Sequence, residues 1–247
     1  IAKFKESFPT TNLVQFDPIS YSGIRKANEQ SFGRAVIPAY DFEKALVVLS
    51  VGADFLGTWL DGEEHTQDYI KNRNYKSLEG GKMSRHIQFE AGMSMTGTNA
   101  DVRIAVKPSE EGAVLVSLYN EITGSSLPGA LAGNQRAATA IKLAAQELLK
   151  NKGQAVVVAG ANNVDIQILA NAINVAIGAY GTVIDLDNFS KKYQGSEEAF
   201  ATFLADAAAG KVGAVLFLNA NPLYDYADTK VVKDALAKID FTLSFAD

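Results

Sequence analysis

The sequence predicts an α/β fold with a doubly wound, mostly parallel sheet and helices on both faces. Short apolar runs of strand length alternate along the chain with longer segments of helical period, which is the pattern of repeated βα units. The runs at 45–51 and 155–159 are apolar almost throughout. Strands of that composition are typical of parallel sheets that helices cover on both faces.

The first half of the chain contains four candidate strands and four candidate helices. The strands are predicted at Leu13–Phe16, Ala45–Val51, His86–Glu90 and Val102–Val106, and the helices at Ser20–Phe32, Gly62–Asn72, Glu110–Ile122 and Asn134–Lys150. Gly33 follows the first helix and is typical of a residue that ends one. The glycine-rich segments Lys76–Lys82 and Thr123–Gly133 are predicted to be loops.

The second half repeats the alternation. Strands are predicted at Ala155–Ala159, Thr182–Leu186, Ala214–Leu218 and Phe241–Phe245, and helices at Asn163–Ile177, Glu197–Ala209 and Thr229–Ala237. No sharp linker divides the chain, so we predict one domain over residues 1–247, with a candidate internal seam at 123–133. Because the chain begins without methionine and has no signal peptide, we expect it to be a domain excised from a longer chain.

Composition excludes several classes of function. The net charge is −5, from 23 basic and 28 acidic residues, which argues against nonspecific nucleic-acid binding. The chain has no cysteine, which excludes disulfides, cysteine-ligated zinc and iron–sulfur clusters within it. Its two histidines are too few for a histidine-rich metal site. No stretch gives the roughly 20 clean apolar residues that a membrane span requires.

Ligands of doubly wound sheets bind beyond the carboxyl ends of the strands. The loops at 52–57, 90–98, 160–163 and 219–224 lie there and are rich in Gly, Asn, Ser and Thr, which suits a nucleotide-like ligand. The same residues are common in turns and helix caps, so a structural role stays open. No dinucleotide fingerprint, P-loop or nucleophile elbow is present.

Several charged or titratable positions are candidates for a ligand contact or for a structural role. Glu90 at a strand end can accept hydrogen bonds from ribose hydroxyls, or it can cap the following turn. Arg85 and His86 could meet a phosphate, or they could be surface salt-bridge partners. We expect His65, in a polar helix, to be solvated.

Three segments resemble the molybdopterin oxidoreductase superfamily, in the domain that holds one guanine-dinucleotide arm of the cofactor. They are Asp41–Trp59, Glu90–Asp101 and Asn219–Pro222. The family pattern Asp-Pro-Arg-x-Thr-x-Thr-Ala-x-x-Ala-Asp places Ser94, Thr96 and Asp101 in register, with Glu90 as the acid. The strings SYSGIRKANEQSFGRAVIPAYDFEKA, VLSVGADFLGTWL, MSRHIQFEAGMSMTGTNADVR and VKPSEEGA further resemble the large iron–sulfur subunit of bacterial alternative complex III, a membrane quinol:electron acceptor oxidoreductase.

The resemblance implies a set of positions that would contact a molybdopterin guanine dinucleotide, intact or vestigial. They are Gly52, Asp54, Glu90, Ser94, Thr96, Asp101, Glu111, Asn219 and Asn221. Three departures from the family concern the chemistry. In the family, the metal ligand lies twelve residues before a glycine that ends the next helix. Counted back from Gly33, that position is Tyr21, with Ser20 and Ser22 on either side.

The other two departures are Gly92, where the family has a phosphate-binding arginine, and Ser109, where it has a close-approach glycine. Together the three departures predict a domain without its own molybdenum cofactor and without catalytic or metal-ligating residues.

Three hypotheses follow. In the first, the chain is a cofactor-free scaffold beside an iron–sulfur domain of the same polypeptide and membrane subunits of a respiratory complex. The resemblance then implies a peripheral position on the periplasmic side of the bacterial inner membrane, with iron–sulfur clusters in the flanking domain. In the second, the domain still binds the guanine dinucleotide in a redox enzyme. In the third, it is a stand-alone small-molecule binding module.

Overall fold

The computed structural model describes residues 1–74, 76, 79–80 and 83–245, so the predicted loop at Lys76–Lys82 falls largely outside the described residues. The chain divides into two compact units. Unit 1 comprises Ile1–Ser22 and Lys191–Asp247, and unit 2 comprises Gly23–Ser190. The expectation of one domain with a seam at 123–133 stays a prediction.

The described helices and strands follow one another in an alternating order. The strands are β1 (Ile37–Tyr40), β2 (Val47–Val51), β3 (Arg85–Glu90), β4 (Val102–Ala105), β5 (Ala155–Ala159), β6 (Ile184–Ser190), β7 (Ala214–Phe217) and β8 (Phe241–Ser244). The helices are α1 (Ala2–Ser7), α2 (Ser22–Phe32), α3 (Gly62–Lys71), α4 (Met95–Thr98), α5 (Glu111–Thr123), α6 (Gln135–Lys150), α7 (Val164–Ala176), α8 (Glu197–Ala208), α9 (Pro222–Asp225) and α10 (Thr229–Leu236). A 3₁₀ turn, Pro108–Glu110, precedes α5.

Unit 2 is built on a parallel sheet of four strands in the order β4-β3-β2-β5. Every residue of β2 and of β5 is buried, as expected for strands covered on both faces. Helix α6 packs on β4 and β2, and α7 packs on β5. The predicted α/β class, a doubly wound parallel sheet flanked by helices, is confirmed.

Most predicted helices form at their expected places because their ends are capped. Asn134, Asn163 and Ser196 each accept a hydrogen bond from the backbone N–H three residues later, at the start of α6, α7 and α8 respectively. Gly33 ends α2 in the left-handed region, at φ +72°, where glycine is unstrained.

Two strand predictions need correction. No strand forms at Leu13–Phe16; Phe16 packs instead on Phe200, with ring centroids 4.5 Å apart. The strand predicted at Thr182–Leu186 is β6, which pairs antiparallel with β1 outside the parallel sheet. Strand β1 escapes prediction because Pro38 breaks its pattern, and the register shifts beside that proline.

Unit 1 carries a two-stranded sheet of its own. Strands β7 and β8 pair in parallel. A hydrophobic cluster from α8 and α10, with Phe200, Leu204 and Val232 at its centre, packs against Val215 of β7. Across the described residues, no helix combines the length and the apolar character needed to cross a bilayer.

Candidate functional site

The loop after β2 is tied to the segment after β3 through Asp54. Its Oδ1 accepts hydrogen bonds from the Thr96 backbone N–H at 3.0 Å and from Thr96 Oγ1 at 2.8 Å. Its Oδ2 accepts from the backbone N–H and the hydroxyl of Thr58 at 3.2 and 3.3 Å. Burial raises the pKa of Asp54, but these bonds outweigh it, so the pKa lies below its usual value. Both carboxylate oxygens are thus occupied within the protein.

Thr96, like Asp54, forms all of its observed hydrogen bonds within the protein. It is fully buried, and its hydroxyl also accepts a hydrogen bond from the Leu56 backbone N–H at 2.9 Å. A threonine placed in this way holds two loops together. Its hydroxyl already donates to Asp54 and accepts from Leu56, which leaves little hydrogen-bonding capacity for a ligand.

Glu90 ends β3 and is only 4% exposed. It pairs with Arg103 of β4 and accepts from Ser94 Oγ at 2.6 Å and from Gln88 Nε2 at 3.2 Å. Burial raises the pKa of Glu90, but hydrogen bonds from Ser94 and Arg103 hold it below its usual value. Ser94 Oγ in turn accepts from the Gly97 backbone N–H at 2.9 Å, which caps α4. The bonds from Ser94 give Glu90 a turn-capping role, and its contact with a ribose stays a prediction.

Gly97 lies against Glu90 for a steric reason. A Cβ added at Gly97 would stand 1.9 Å from Glu90 Oε1, a distance at which a side chain cannot fit without displacing the carboxylate. The glycine therefore lets the turn close over a buried acid.

Asp101 lies at the opposite end of the strands. It immediately precedes β4 and accepts from the His86 backbone N–H at 2.7 Å, at the start of β3. It forms a two-pronged ion pair with Arg73, at 2.9 and 2.8 Å. Burial raises the pKa of Asp101, and the bonds from Arg73 and His86 lower it further than burial raises it. The structure therefore does not bring Asp101 together with Glu90.

Glu111 differs from the other predicted carboxylates. It opens α5 and is half-buried, and its carboxyl group has no hydrogen-bond or ion-pair partner among the described residues. Burial raises the pKa of Glu111. Its carboxyl group stands over Gly52, where an added Cβ would lie 2.7 Å from Glu111 Oε1.

Gly52 and Gly160 allow the carboxyl ends of β2 and β5 to approach closely. A Cβ added at Gly160 would lie 2.1 Å from the Gly52 carbonyl oxygen, and Gly52 itself has φ +67°. The chain leaves β2 toward β3 on one side, and β5 lies on the other. Such a switch in strand order is where doubly wound sheets bind ligands.

The remaining predicted contacts belong to unit 1. Asn219 has a left-handed backbone, with φ +48°. The backbone carbonyl of Asn221 accepts from the N–H of Tyr224 and of Asp225, at the start of the short helix α9. The predicted set of site residues is therefore divided between the two units.

The positions that depart from the family pattern are also placed. The Tyr21 ring contacts the Tyr193 ring, with centroids 4.8 Å apart. Ser20 Oγ accepts from the Ser22 backbone N–H at 3.1 Å, and Ser22 Oγ donates to Glu197 at 3.3 Å. Gly92 borders open space.

Ser109 is exposed in the 3₁₀ turn that precedes α5. Among the described residues, no three His, Asp or Glu side chains cluster as a metal site would require.

Both histidine predictions are wrong in one respect. His65 is 5% exposed rather than solvated, because α3 turns it toward Phe42, whose ring lies 5.0 Å away. His86 is fully buried, and burial lowers its pKa to about 4, so it is neutral and cannot meet a phosphate. Arg85 behaves as a surface salt-bridge partner, 3.7 Å from Glu147.

Sequence reasoning missed a ladder of polar side chains along β3. Tyr69 Oη lies 3.0 Å from His86 Nδ1, His86 Nε2 lies 3.3 Å from Gln88 Oε1, and Gln88 Nε2 donates to Glu90 at 3.2 Å. His86, Gln88 and Glu90 alternate along the strand and so share a face. That two-residue spacing was the available signal.

Comparison with known proteins identifies the fold and no more. No family model and no curated protein matches the sequence. The chain is similar in structure to acetylene hydratase from Pelobacter acetylenicus, with a TM-score of 0.57 and 11% sequence identity. The match covers 92% of this chain and 41% of the neighbour, so the chain spans less than half of the neighbour's length.

Proposed function

We propose that this chain is a molybdopterin-oxidoreductase-like domain that holds no molybdenum cofactor of its own. It acts as a scaffold beside an iron–sulfur domain in a respiratory quinol:electron acceptor oxidoreductase. The observation that carries the proposal is that the carboxylate oxygens of Asp54 and Glu90 already accept hydrogen bonds or ion pairs from the protein itself. A dinucleotide would have to displace Thr96, Ser94 or Arg103 before either carboxylate could accept from it.

The residues present do not fit the cofactor in three further respects. Glu111 brings to the switch point an acid whose carboxyl group has no partner among the described residues. A carboxylate beside a phosphate-rich ligand repels it unless that ligand also offers donors. The position of the family's phosphate-binding arginine is Gly92, which borders open space. Tyr21 stands where the family's metal ligand would be, and its ring is packed on Tyr193.

The respiratory part of the proposal rests on the ordered sequence strings that resemble the large subunit of alternative complex III. The proposed partners are the iron–sulfur domain of the same polypeptide and membrane subunits of the complex. The proposed place is the periplasmic side of the bacterial inner membrane, where the subunit is peripheral. Electrons would pass through the flanking clusters rather than through this domain.

Metal and nucleotide analysis of the full-length protein tests the proposal. The protein is purified from a host that loads a known molybdopterin enzyme in parallel, as the positive control. We expect molybdenum, tungsten and acid-released guanine nucleotide well below one per chain, with iron present. Stoichiometric molybdenum or tungsten together with guanine nucleotide would refute the scaffold role.

The respiratory assignment is tested separately by the partners of the full-length subunit. It is purified from its native membranes in mild detergent, and the copurifying proteins are identified. We expect membrane subunits and a cytochrome-containing electron acceptor at constant ratio. Recovery of the subunit alone, from the soluble fraction, would contradict the respiratory role and leave the cofactor question untouched.

The second candidate is retained nucleotide binding, and Glu111 favours it. Its half-buried carboxyl group lies over Gly52 at the switch point and is without a partner in the described part of the chain. It could accept hydrogen bonds from a ligand N–H pair such as that of guanine. Titration with guanosine monophosphate, followed by thermal shift, distinguishes the candidates. Saturable stabilisation by guanosine but not adenosine monophosphate, lost in Glu111→Gln, would favour binding.

A further inference from the structure

Two neighbouring buried rings, Trp59 and His65, each carry a nitrogen without a hydrogen-bond partner among the described residues. Trp59 is 4% exposed and His65 is 5% exposed. Neither Trp59 Nε1 nor His65 Nδ1 has a hydrogen-bond partner in the part of the chain that the structure describes. A buried polar atom left in that condition is destabilising, and such atoms are rare in folded proteins.

The surroundings of the two nitrogens are aromatic. The rings of Trp59 and His65 have centroids 5.7 Å apart and an interplanar angle of 35°. Phe42 lies 5.0 Å from His65, and Tyr40 lies 5.2 Å from Trp59. These ring faces and edges supply little hydrogen-bonding capacity, so the two nitrogens need a polar group from elsewhere.

The chemistry of the two nitrogens is complementary. Burial lowers the pKa of His65 to about 4, and a hydrogen bond to the Phe55 backbone carbonyl opposes that shift. His65 is therefore neutral at pH 7. Because Nδ1 has no partner among the described residues, the bond to Phe55 is assigned to Nε2, which then carries the proton. His65 Nδ1 is then an acceptor, whereas the indole N–H of Trp59 is only a donor.

We propose that one enclosed water molecule bridges Trp59 and His65. It accepts a hydrogen bond from Trp59 Nε1–H and donates one to His65 Nδ1. Water is the smallest common molecule that both accepts and donates, and enclosed waters characteristically satisfy two or more buried polar groups. An apolar molecule, or a cation without an acceptor, would leave one of the two nitrogens unsatisfied.

The bridge has a definite place in the fold. Trp59 belongs to the loop that leaves β2, and His65 belongs to α3. The same loop carries Asp54, which bonds Thr96. A water between Trp59 and His65 therefore fastens one end of this loop to α3, while Asp54 fastens the other end to the segment after β3.

Nuclear magnetic resonance on the 247-residue chain tests the water directly. Trp59 is the single tryptophan, so one indole N–H signal reports on the site. We expect a water cross peak at this proton whose sign is that of a long-lived bound water. We also expect a downfield indole proton shift of the kind that a hydrogen bond produces.

Three variants sharpen the test. His65→Phe removes the acceptor and should abolish the cross peak, whereas His65→Asn, which places an acceptor near the position of Nδ1, should keep it. Thr202→Ala, at an exposed threonine in unit 1, is the control and should change neither signal. If His65→Phe fails to fold, a crystal structure of the unaltered chain decides, with an ordered water within hydrogen-bond distance of both nitrogens expected.

Two results would overturn the proposal. One is an indole N–H that shows no water cross peak and a shift like that of free tryptophan. The other is a crystal structure in which a protein group bonds either nitrogen directly.

Discussion

Glu90 and Glu111 are two glutamates near the carboxyl edge of the same parallel sheet, and the protein treats them in opposite ways. Glu90 is almost fully buried and bonds Arg103, Ser94 and Gln88. Glu111 is half-buried and has no partner among the described residues. Consequently the pKa of Glu90 lies below its usual value and that of Glu111 lies above it.

The difference separates two uses of a carboxylate. A saturated buried acid fixes a turn and adds to stability, because its charge is fully solvated by the protein. An unpaired, half-buried acid costs stability and keeps its lone pairs for another molecule. Glu90 therefore belongs to the architecture, and Glu111 is the predicted contact that a ligand could still use.

Acidification should change stability more than any single substitution. Burial lowers the pKa of His65 and of His86 to about 4. The unfolded chain therefore binds more protons than the folded one between about pH 6.5 and 4, and stability falls as the pH falls through that window. Each histidine contributes roughly 3 kcal/mol to the loss.

Glu90, Asp54 and Asp101 extend the loss to lower pH. Their folded pKa values are lowered, so the stability they add is present above the unfolded value and is lost as the pH falls through the folded one. Urea unfolding between pH 7 and 4, followed by Trp59 fluorescence, measures the decline. A free energy of unfolding that stays flat over this range would contradict the buried, neutral histidines.

Glu90→Gln should be the most damaging of the substitutions considered. It keeps the shape of the side chain but removes the charge that Arg103 and Ser94 bond. Breaking a largely buried ion pair in this way leaves a cation without its partner. We expect a loss of about 2–4 kcal/mol in the free energy of unfolding, measured by urea titration at pH 7.

Glu147→Gln provides the control for Glu90→Gln. Glu147 pairs with Arg85 at 3.7 Å, and both side chains are more than a third exposed. Exposed pairs are worth about 0–1 kcal/mol, so this substitution should leave stability nearly unchanged. Equal losses in the free energy of unfolding would mean that the bonds of Glu90 stabilise the protein no more than an exposed ion pair does.

The sequence predicts the sheet well because its signals are local. The run at Ala155–Ala159 matches β5 at both ends, since an apolar strand between turn residues has few alternatives. The antiparallel pair β1–β6 was harder to predict, because Pro38 hides β1 and its partner lies far along the chain. The run at Leu13–Phe16 resembles a strand, but its apolar residue Phe16 packs on Phe200 and no strand forms.

The candidate site could be predicted only in part. The residue types at Asp54 and Glu90 point to hydrogen bonding, but their partners decide whether a ligand or the protein is bound. Arg103 reaches Glu90 only because β3 and β4 are neighbours in the sheet, and Thr96 reaches Asp54 across two loops. Whether a carboxylate is already bonded by the protein therefore depends on tertiary structure, and the spacing of a motif cannot predict it.

Gly52→Ala tests how tightly Glu111 sits over the end of β2. The substitution forces a side chain into the left-handed region at φ +67° and against the Glu111 carboxyl group. We expect a loss of about 1–3 kcal/mol. Gly124→Ala is the matched control, because Gly124 has φ +72° and nothing within 4 Å of an added Cβ. If both variants lose the same amount, the contact with Glu111 contributes nothing.

Glu111→Gln should have the smallest effect and the opposite sign. The raised pKa of Glu111 means that the folded state disfavours its charge, so a neutral side chain of the same shape should stabilise the protein by up to about 1 kcal/mol. The neighbouring Glu110 accepts from the Lys107 backbone N–H at 2.9 Å, and Glu110→Gln should instead cost about 0.5 kcal/mol. Urea titration of the two variants side by side compares adjacent glutamates that differ in having a partner. A loss of stability in Glu111→Gln as large as in Glu110→Gln would show that Glu111 is held by the protein after all, and would remove it as a candidate ligand contact.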